Sequence, residues 1–247
     1  MSDGLSILLS DVDVGPRRHP FLRVDHLQAA AGECVGIIGP NGAGKTTLLK
    51  LCCGLIRPNR GTVLLDDRPV GGWRGWRGWQ GRRIGYIPQQ TEYNSHLPFS
   101  LRDVVAMGRN ALKPALRPLD GADFEAVDHW IAEMGLHDRR HQTFRSLSGG
   151  QQQKALIARA MVAAPRLVVL DEPAANLDTR SRWQLRDIME RLFRDRAMTV
   201  LLVSHDVEFL PGACERLLLL RRGRIETDGP RDEVLASPSA ADVLAEI

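Results

Sequence analysis

The sequence predicts an α/β fold with a mainly parallel core sheet, an N-terminal antiparallel β subdomain and an inserted α-helical subdomain. Short apolar runs, such as residues 167–170 and 199–203, alternate with helical patterns. This alternation is typical of buried parallel strands. Residues 5–35 instead alternate apolar and polar positions, whereas residues 90–147 contain helical patterns without strand-like runs.

We expect a single domain over residues 1–247, with a core at about 1–89 and 148–247 and the helical insertion at about 90–147. The net charge of +3 argues against a broad nucleic-acid surface, so no nucleic-acid partner is expected. The sequence shows no apolar run of the roughly 18 residues that span a bilayer and no basic leader segment. We therefore expect a cytosolic protein.

The N-terminal region is predicted to form two antiparallel strands. Apolar and polar residues alternate around residues 5–14 and 21–27, as they do in half-buried strands. Gly15 and Pro16 stand between these runs and favour a turn. A further strand is expected over residues 62–65.

The segment 39–47, with the sequence GPNGAGKTT, fits the phosphate-binding pattern G-x-x-x-x-G-K-[ST]. An apolar run precedes it and a helical pattern follows, which is the strand–loop–helix context that the pattern requires. Backbone N–H groups of the loop and the helix N-terminus would surround a polyphosphate. The residues concerned are Gly39, Pro40, Asn41, Gly42, Ala43, Gly44, Lys45, Thr46 and Thr47.

Two side chains of this loop carry specific roles. Lys45 is placed to contact the β- and γ-phosphates, and the Thr46 hydroxyl is placed to bind Mg²⁺. A glycine-rich turn without a ligand is the alternative, but four fixed positions rarely coincide by chance. The core is therefore predicted to be a P-loop NTPase fold that binds a nucleoside triphosphate.

Residues 83–88 read as a short strand that ends at Gln89. In the segment that follows, Phe124, Val127, Ile131 and Met134 fall on one helical face. A helix is expected from Ser148 to about residue 163. Beyond residue 203 the sequence predicts a strand over 217–220, a turn, and short helices to the end.

Two carboxylates, Asp171 and Glu172, directly follow the apolar run at 167–170. Ligands of open α/β sheets bind at the carboxyl ends of the strands. Asp171 is therefore placed to hold Mg²⁺, and Glu172 is free to act as general base on the attacking water. The alternative is an acidic pair that caps a helix.

The motif Leu147-Ser148-Gly149-Gly150-Gln151 resembles the signature of the ATP-binding cassette ATPases. Gln89 after a strand, Asp178 after the acidic pair and His205 after the next strand complete the resemblance, in the family's order. It extends from about residue 5 to the C-terminus. It implies ATP hydrolysis with ATP and Mg²⁺ as cofactors.

The resemblance also implies a head-to-tail homodimer in which each ATP lies between the phosphate loop of one chain and the signature of the other. Ser148, Gly149, Gly150 and Gln151 would then face the partner's nucleotide. Family roles carried onto this chain place Gln89 on Mg²⁺ and the attacking water, and His205 on the γ-phosphate. Thr47 would contact the α-phosphate, and Asp178 would link the two sites.

This chain departs from the family at the aromatic residue that stacks on adenine. The usual position, in the turn between the first two strands, falls near Pro16. His19 and Phe21 are aromatic neighbours, but neither is in register with that position.

The segment 97–109 is similar to the one that docks a helix of the membrane subunit in cassettes of metal-ion, siderophore and haem importers. The resemblance therefore implies integral membrane permease subunits and an extracytoplasmic solute-binding protein as partners. It places the chain on the inner face of the cell membrane. An exporter or lipid-transport cassette and an iron–sulfur assembly cassette remain alternatives, whereas the complete catalytic set disfavours a pure binding module.

Two further features are not explained by these motifs. The Gly-Trp-Arg repeat at 72–81 favours a local loop with Trp–Arg packing, and a base-stacking surface and a lipid-interface anchor are the alternatives. The cysteine spacing fits no metal site, so small buried thiols in a reducing compartment are expected. These residues are Cys34, Cys52, Cys53 and Cys214.

Overall fold

The computed structural model describes residues 4–16, 18–70, 84–89, 98–114, 117–195 and 197–247. The Gly-Trp-Arg repeat at 72–81 lies outside these residues, and its predicted loop conformation stays a prediction. Within the described part of the chain, no helix combines the length and the apolar character needed to cross a membrane.

The strands, in chain order, are β1 (Ile7–Val14), β2 (Leu22–Ala29), β3 (Cys34–Ile38), β4 (Arg60–Leu65), β5 (Arg68–Pro69), β6 (Ile84–Ile87), β7 (Leu167–Asp171), β8 (Thr199–Val203), β9 (Arg216–Arg221) and β10 (Arg224–Pro230). The helices are α1 (Lys45–Cys52), α2 (Leu101–Asn110), α3 (Gly121–Glu133), α4 (Gly149–Met161), α5 (Thr179–Asp195), α6 (Arg231–Leu235) and α7 (Pro238–Ala245).

The larger sheet has the strand order β10-β9-β3-β8-β7-β6. Its pairs are parallel except β9–β10, which is antiparallel. Every residue of β3, β7 and β8 is buried, as expected for parallel strands covered on both faces. The predicted mainly parallel core is confirmed, and the carboxyl ends of these strands lie at one edge.

The smaller sheet is antiparallel and has the order β2-β1-β4-β5. Its inner face shares one hydrophobic core with α1 and with one face of the larger sheet, through residues such as Leu9, Val24, Leu48, Val169 and Val203. The phosphate-loop helix is thus held by apolar contacts to both sheets. The predicted antiparallel region is confirmed.

Helices α2, α3 and α4 pack against one another, and each begins with a capping box formed by Ser100, Asp120 or Ser148. Such caps satisfy helix N–H groups that lack partners within the helix. Val127 and Ile131 are buried as their spacing predicts. The bounds of the helical insertion stay a prediction.

Strand β10 is an element that the sequence pattern did not predict. Its residues are exposed or only half-buried, with no buried position, so no apolar alternation marks it. Among the strands that the structure describes, it pairs only with β9 at the sheet edge, where its last residue, Pro230, is tolerated. The short helices predicted for the tail follow it as α6 and α7.

The cysteines divide into two pairs, only one of which fits the expectation of small buried thiols. Cys52 and Cys53 are free and fully buried. Cys34 and Cys214 are instead joined through their sulfur atoms across 180 residues of chain. Spacing in the sequence carried no signal for this contact, because β3 and β9 become neighbours only in the folded sheet.

Gly108 marks a close approach between α2 and α4. A Cβ atom there would overlap the Arg159 carbonyl oxygen and lie 2.8 Å from a Val162 methyl group. We expect Gly108→Ala to lower the free energy of unfolding by about 1–3 kcal/mol through overpacking. Gly121→Ala, where a Cβ meets nothing within 4 Å, is the matched control. Urea unfolding curves of both variants provide the measurement, and equal stabilities would contradict the expectation.

Candidate nucleotide site

The phosphate loop connects β3 to α1 and has the backbone conformation that its glycines permit. Gly42 and Gly44 have φ angles of 78° and 101°, in the left-handed region that favours glycine. Gly44 is also the N-cap of α1 and has no side chain to cap the helix. The first N–H groups of α1 therefore have no side-chain cap and are suited to an anion.

Lys45, the first residue of α1, is 5% exposed. Its Nζ donates to the carbonyl oxygens of Gly39 at 2.7 Å and Pro40 at 3.0 Å, and lies 3.7 Å from Glu172 Oε1. Burial lowers the pKa of Lys45, and the Glu172 and Asp171 carboxylates oppose that change. The ammonium is thus held by groups that a phosphate could replace.

Asp171 ends β7 beside the start of α1, and its Oδ2 accepts a hydrogen bond of 2.7 Å from the Thr46 hydroxyl. Its Oδ1 is buried without a hydrogen-bond partner among the described residues. A buried unsatisfied carboxylate oxygen is costly unless something binds it. A hydroxyl and a carboxylate are ligands that Mg²⁺ prefers, so these residues fit the predicted ion.

Glu172 occupies the sharp turn after β7, with φ at 49° and its N–H bonded to the Val203 carbonyl at 3.1 Å. A left-handed glutamate costs of order 1–3 kcal/mol and is found mainly where function requires it. Gln89 Nε2 donates to Glu172 Oε2 at 2.6 Å, and His205 Nε2 lies 2.5 Å from Oε1. The carboxylate borders a cavity of about 190 Å³.

The loop after β8, which carries His205, is held by hydrogen bonds of the neighbouring residues. The Ser204 hydroxyl donates to the Asp206 carbonyl at 2.8 Å, and Arg182 on α5 donates to the Asp206 carboxylate at 2.5 Å. The Arg182–Asp206 contact was not predicted from the sequence. Asp206 next to His205 was the only local signal, and its partner lies 24 residues away.

The signature residues form a separate cluster at the start of α4. Ser148 Oγ accepts from the Gln151 N–H at 3.4 Å, and Gln151 Oε1 accepts from the Ser148 N–H at 3.0 Å. Ser148 and Gly149 are exposed. This helix N-terminus is therefore capped by its own side chains and open to an approaching molecule.

Gly150 and Asp178 are linked through one serine. A Cβ atom on Gly150 would lie 2.8 Å from Ser181 Oγ. Ser181 in turn donates its N–H and hydroxyl to the exposed Asp178 carboxylate, at 2.8 and 2.9 Å. These hydrogen bonds lower the pKa of Asp178.

The predicted site residues thus fall into two groups. Around the phosphate loop, side-chain contacts join Lys45, Thr46, Asp171, Glu172, Gln89 and His205. The second group contains Ser148, Gly149, Gly150, Gln151 and Asp178. Among the described residues, no hydrogen bond or ion pair between side chains of the two groups is recorded. The role of Thr47 toward the α-phosphate stays a prediction.

Phe21 is an aromatic residue that directly precedes Leu22, whose side chain lies beside Gly44 of the phosphate loop. Its side chain is 55% exposed. A Cβ on Gly223 would overlap the Phe21 carbonyl oxygen, and one on Gly44 would lie 3.2 Å from the side chain of the next residue, Leu22. The sequence left the stacking residue unassigned, because Phe21 is not in register with the usual aromatic position near Pro16.

Comparisons with known proteins agree with this geometry. Residues 22–175 match the family model described as ABC transporter. The zinc uptake system ATP-binding protein ZurA of Listeria innocua is 34% identical over 84% of this chain and 79% of its own length. The hemin import ATP-binding protein HmuV of Rhodopseudomonas palustris is 38% identical over 90% and 81%. The lipopolysaccharide export system ATP-binding protein LptB of Acidithiobacillus ferridurans is 33% identical over 92% and 91%.

A solved structure described as an inward-facing conformation of a putative metal-chelate type ABC transporter superposes with a TM-score of 0.82. It covers 99% of this chain and 90% of its own, at 24% identity, and therefore supports the fold. The family match extends over the phosphate loop, the signature and the acidic pair. The chain belongs to the ABC transporter family, as an ATP-binding subunit with ATPase activity.

Proposed function

We propose that this chain powers the import of a metal ion or metal chelate by hydrolysing ATP between two copies of itself. The observation that carries the ATPase mechanism is the Glu172 carboxylate, held by Gln89 and His205 beside Lys45. The cargo class is supported by the relatives named for zinc uptake and hemin import.

Glu172 is the general base in this proposal. Its carboxylate accepts a proton from a water molecule as the water oxygen attacks the γ-phosphorus. Gln89 and His205 contact different oxygens of that carboxylate, 2.6 and 2.5 Å away, and fix its direction. Holding the Glu172 carboxylate in place relative to the water raises the rate of hydrolysis, because the two groups need not find the reactive orientation by chance.

Lys45 leaves its carbonyl partners and contacts the β- and γ-phosphates when ATP is bound. Asp171, Thr46 and Gln89 would hold Mg²⁺, which neutralises phosphate charge when it is bound. The bonded pair of Thr46 and Asp171 and the unsatisfied Asp171 Oδ1 support this assignment.

A second copy supplies the other half of each site. Ser148 and Gly149 are exposed at a helix N-terminus, so their polar groups are open to the γ-phosphate bound by a partner chain. Asp178 is exposed next to them. Using the same surface twice gives an isologous dimer that encloses two ATP molecules.

The helical region is proposed to dock a membrane permease. Phe99, Met107 and Leu112 are exposed apolar side chains on and around α2, at 40%, 36% and 38%. Each offers an apolar contact for a helix of the permease. The chain would then lie on the inner face of the membrane, and a solute-binding protein would deliver the cargo from the other side.

The test is affinity capture of the tagged native protein from detergent-solubilised membranes, with mass spectrometry of the partners. We expect a multi-helix permease together with a solute-binding protein, whose ligand names the cargo. A permease recovered with lipid-export components would favour the exporter alternative. Soluble partners alone would favour the iron–sulfur assembly alternative.

Phe21 is proposed to stack on adenine. We expect Phe21→Ala to weaken ATP binding about 5- to 100-fold, since stacking on an aromatic ring contributes roughly 1–3 kcal/mol. Phe21→Trp should retain the affinity, and Leu55→Ala provides a control at another exposed apolar side chain, 51% exposed. Titration with a fluorescent ATP analogue gives the dissociation constants. Equal affinities of Phe21→Ala and the native chain would refute the assignment.

A further inference from the structure

Cys34 and Cys214 lie side by side at the amino end of the parallel sheet. Cys34 is the first residue of β3, and Cys214 lies just before β9, the neighbour of β3. Their Cα atoms are 4.7 Å apart and their sulfur atoms are joined. This Cα separation falls within the range of disulfide-linked pairs.

This corner of the sheet borders a cavity of about 960 Å³, which Cys34 lines together with Glu33, Arg194 and Arg216. Cys34 is 9% exposed, whereas Cys214 is fully buried. A small molecule can therefore reach the pair from one side, through Cys34. The cavity lies at the end of β3 opposite the phosphate loop.

The other two cysteines, Cys52 and Cys53, allow the reactivity of Cys34 and Cys214 to be compared with that of buried thiols in the same protein. Cys52 and Cys53 are fully buried on α1 and at its C-terminal end. Burial raises the pKa of Cys52 to about 12 and that of Cys53 above its usual range. Since the thiolate is the reactive form, these two thiols are expected to stay inert.

We propose that Cys34 and Cys214 are a redox-active pair that a hydroperoxide closes to a disulfide and a thiol reopens. The Cys34 sulfur attacks one peroxide oxygen, the O–O bond breaks, and a sulfenic acid forms as water or an alcohol leaves. The Cys214 sulfur then displaces hydroxide from that sulfenic acid, which leaves as water after protonation. Two thiols of the reductant restore both cysteines and become a disulfide.

Other contacts at the same corner do not involve the cysteines, so we expect the reduced form to keep its fold. Arg216 binds Glu33 at 3.0 Å, the Asp228 carboxylate at 2.6 Å and the Gln28 carbonyl at 2.8 Å. The phosphate loop lies about 16 Å away, at roughly 3.3 Å per residue of strand. Closing the disulfide therefore adds stability without touching the nucleotide.

The test uses the full-length protein, first reduced and then exposed to hydrogen peroxide. Remaining thiols are blocked with iodoacetamide, and the digested protein is analysed by mass spectrometry. We expect a cross-linked peptide containing Cys34 and Cys214, with Cys52 and Cys53 recovered as thiols. Closing so long a loop should raise the Tm by at least about 5 °C, while the affinity for a fluorescent ATP analogue changes less than about twofold.

Cys34→Ser, and separately Cys214→Ala, should abolish both the cross-link and the rise in Tm. Four free thiols after peroxide treatment, a cross-link through Cys52 or Cys53, or an unchanged Tm in the cross-linked protein would each overturn the inference. Peptide mapping of the native chain needs no variant, so poor folding of either substitution leaves the test intact. The result is independent of the ATPase and transport proposals, since none of its readouts measures turnover or cargo.

Discussion

Glu172→Gln is expected to lower ATP turnover by at least about 100-fold, since a positioned general base contributes roughly 10²- to 10⁴-fold. The amide has nearly the same shape as the carboxylate but cannot take the proton from water. ATP binding should change little, because Glu172 touches Lys45 only at 3.7 Å. Release of inorganic phosphate gives the turnover, and a fluorescent ATP analogue gives the affinity.

The same substitution should also change the assembly state. If hydrolysis is what separates the two copies, the variant should elute as a dimer with ATP and Mg²⁺ and as a monomer without nucleotide. Glu125→Gln is the matched control, because Glu125 is exposed on α3. Turnover at the native rate in Glu172→Gln would remove Glu172 from the role of base.

Lys45→Ala is expected to weaken ATP binding by at least about 30-fold. Removing one partner of a buried, hydrogen-bonded charge pair costs roughly 2–5 kcal/mol, and 2 kcal/mol corresponds to about 30-fold in affinity. Lys45 is 5% exposed at the start of α1, so it is a buried group of this kind. Equilibrium titration with a fluorescent ATP analogue measures the loss.

A lysine elsewhere on the molecule provides the comparison. Lys154 on α4 donates to Gln184 at 3.1 Å, and Lys154→Ala should bind ATP as the native chain does. Thermal unfolding of both variants without nucleotide separates lost affinity from lost folding. Native-like affinity in a folded Lys45→Ala protein would contradict the assignment of the phosphate loop.

The central sheet could be predicted because its strands carry their own signal. Every residue of β7 and β8 is buried, so an uninterrupted apolar run marks each of them. The phosphate loop could also be predicted from the sequence, because phosphate binding requires glycines at left-handed positions and one lysine at a fixed spacing. Asp171 and Glu172 followed from their place at the end of β7.

Contacts between distant segments could not be predicted in the same way. The pairing of Cys34 with Cys214 depends on β3 and β9 becoming neighbours. The Arg182–Asp206 bond depends on where α5 crosses the loop after β8. Strand β10 is held by backbone pairing at an edge with no buried side chain, so its residue pattern carries little information.

The capping box that Ser148 and Gln151 form at the start of α4 bears on how two copies of the chain could associate and separate. Ser148 and Gln151 already satisfy each other's backbone groups in the isolated chain. If a partner's γ-phosphate binds here as proposed, it competes with the hydrogen bonds between Ser148 and Gln151, so the net gain is smaller than at a helix start with no cap. When that phosphate leaves, Ser148 and Gln151 can bind each other's N–H groups again. Under the dimer proposal, separation of the two copies after hydrolysis would therefore leave the N–H groups of Ser148 and Gln151 with partners inside their own chain.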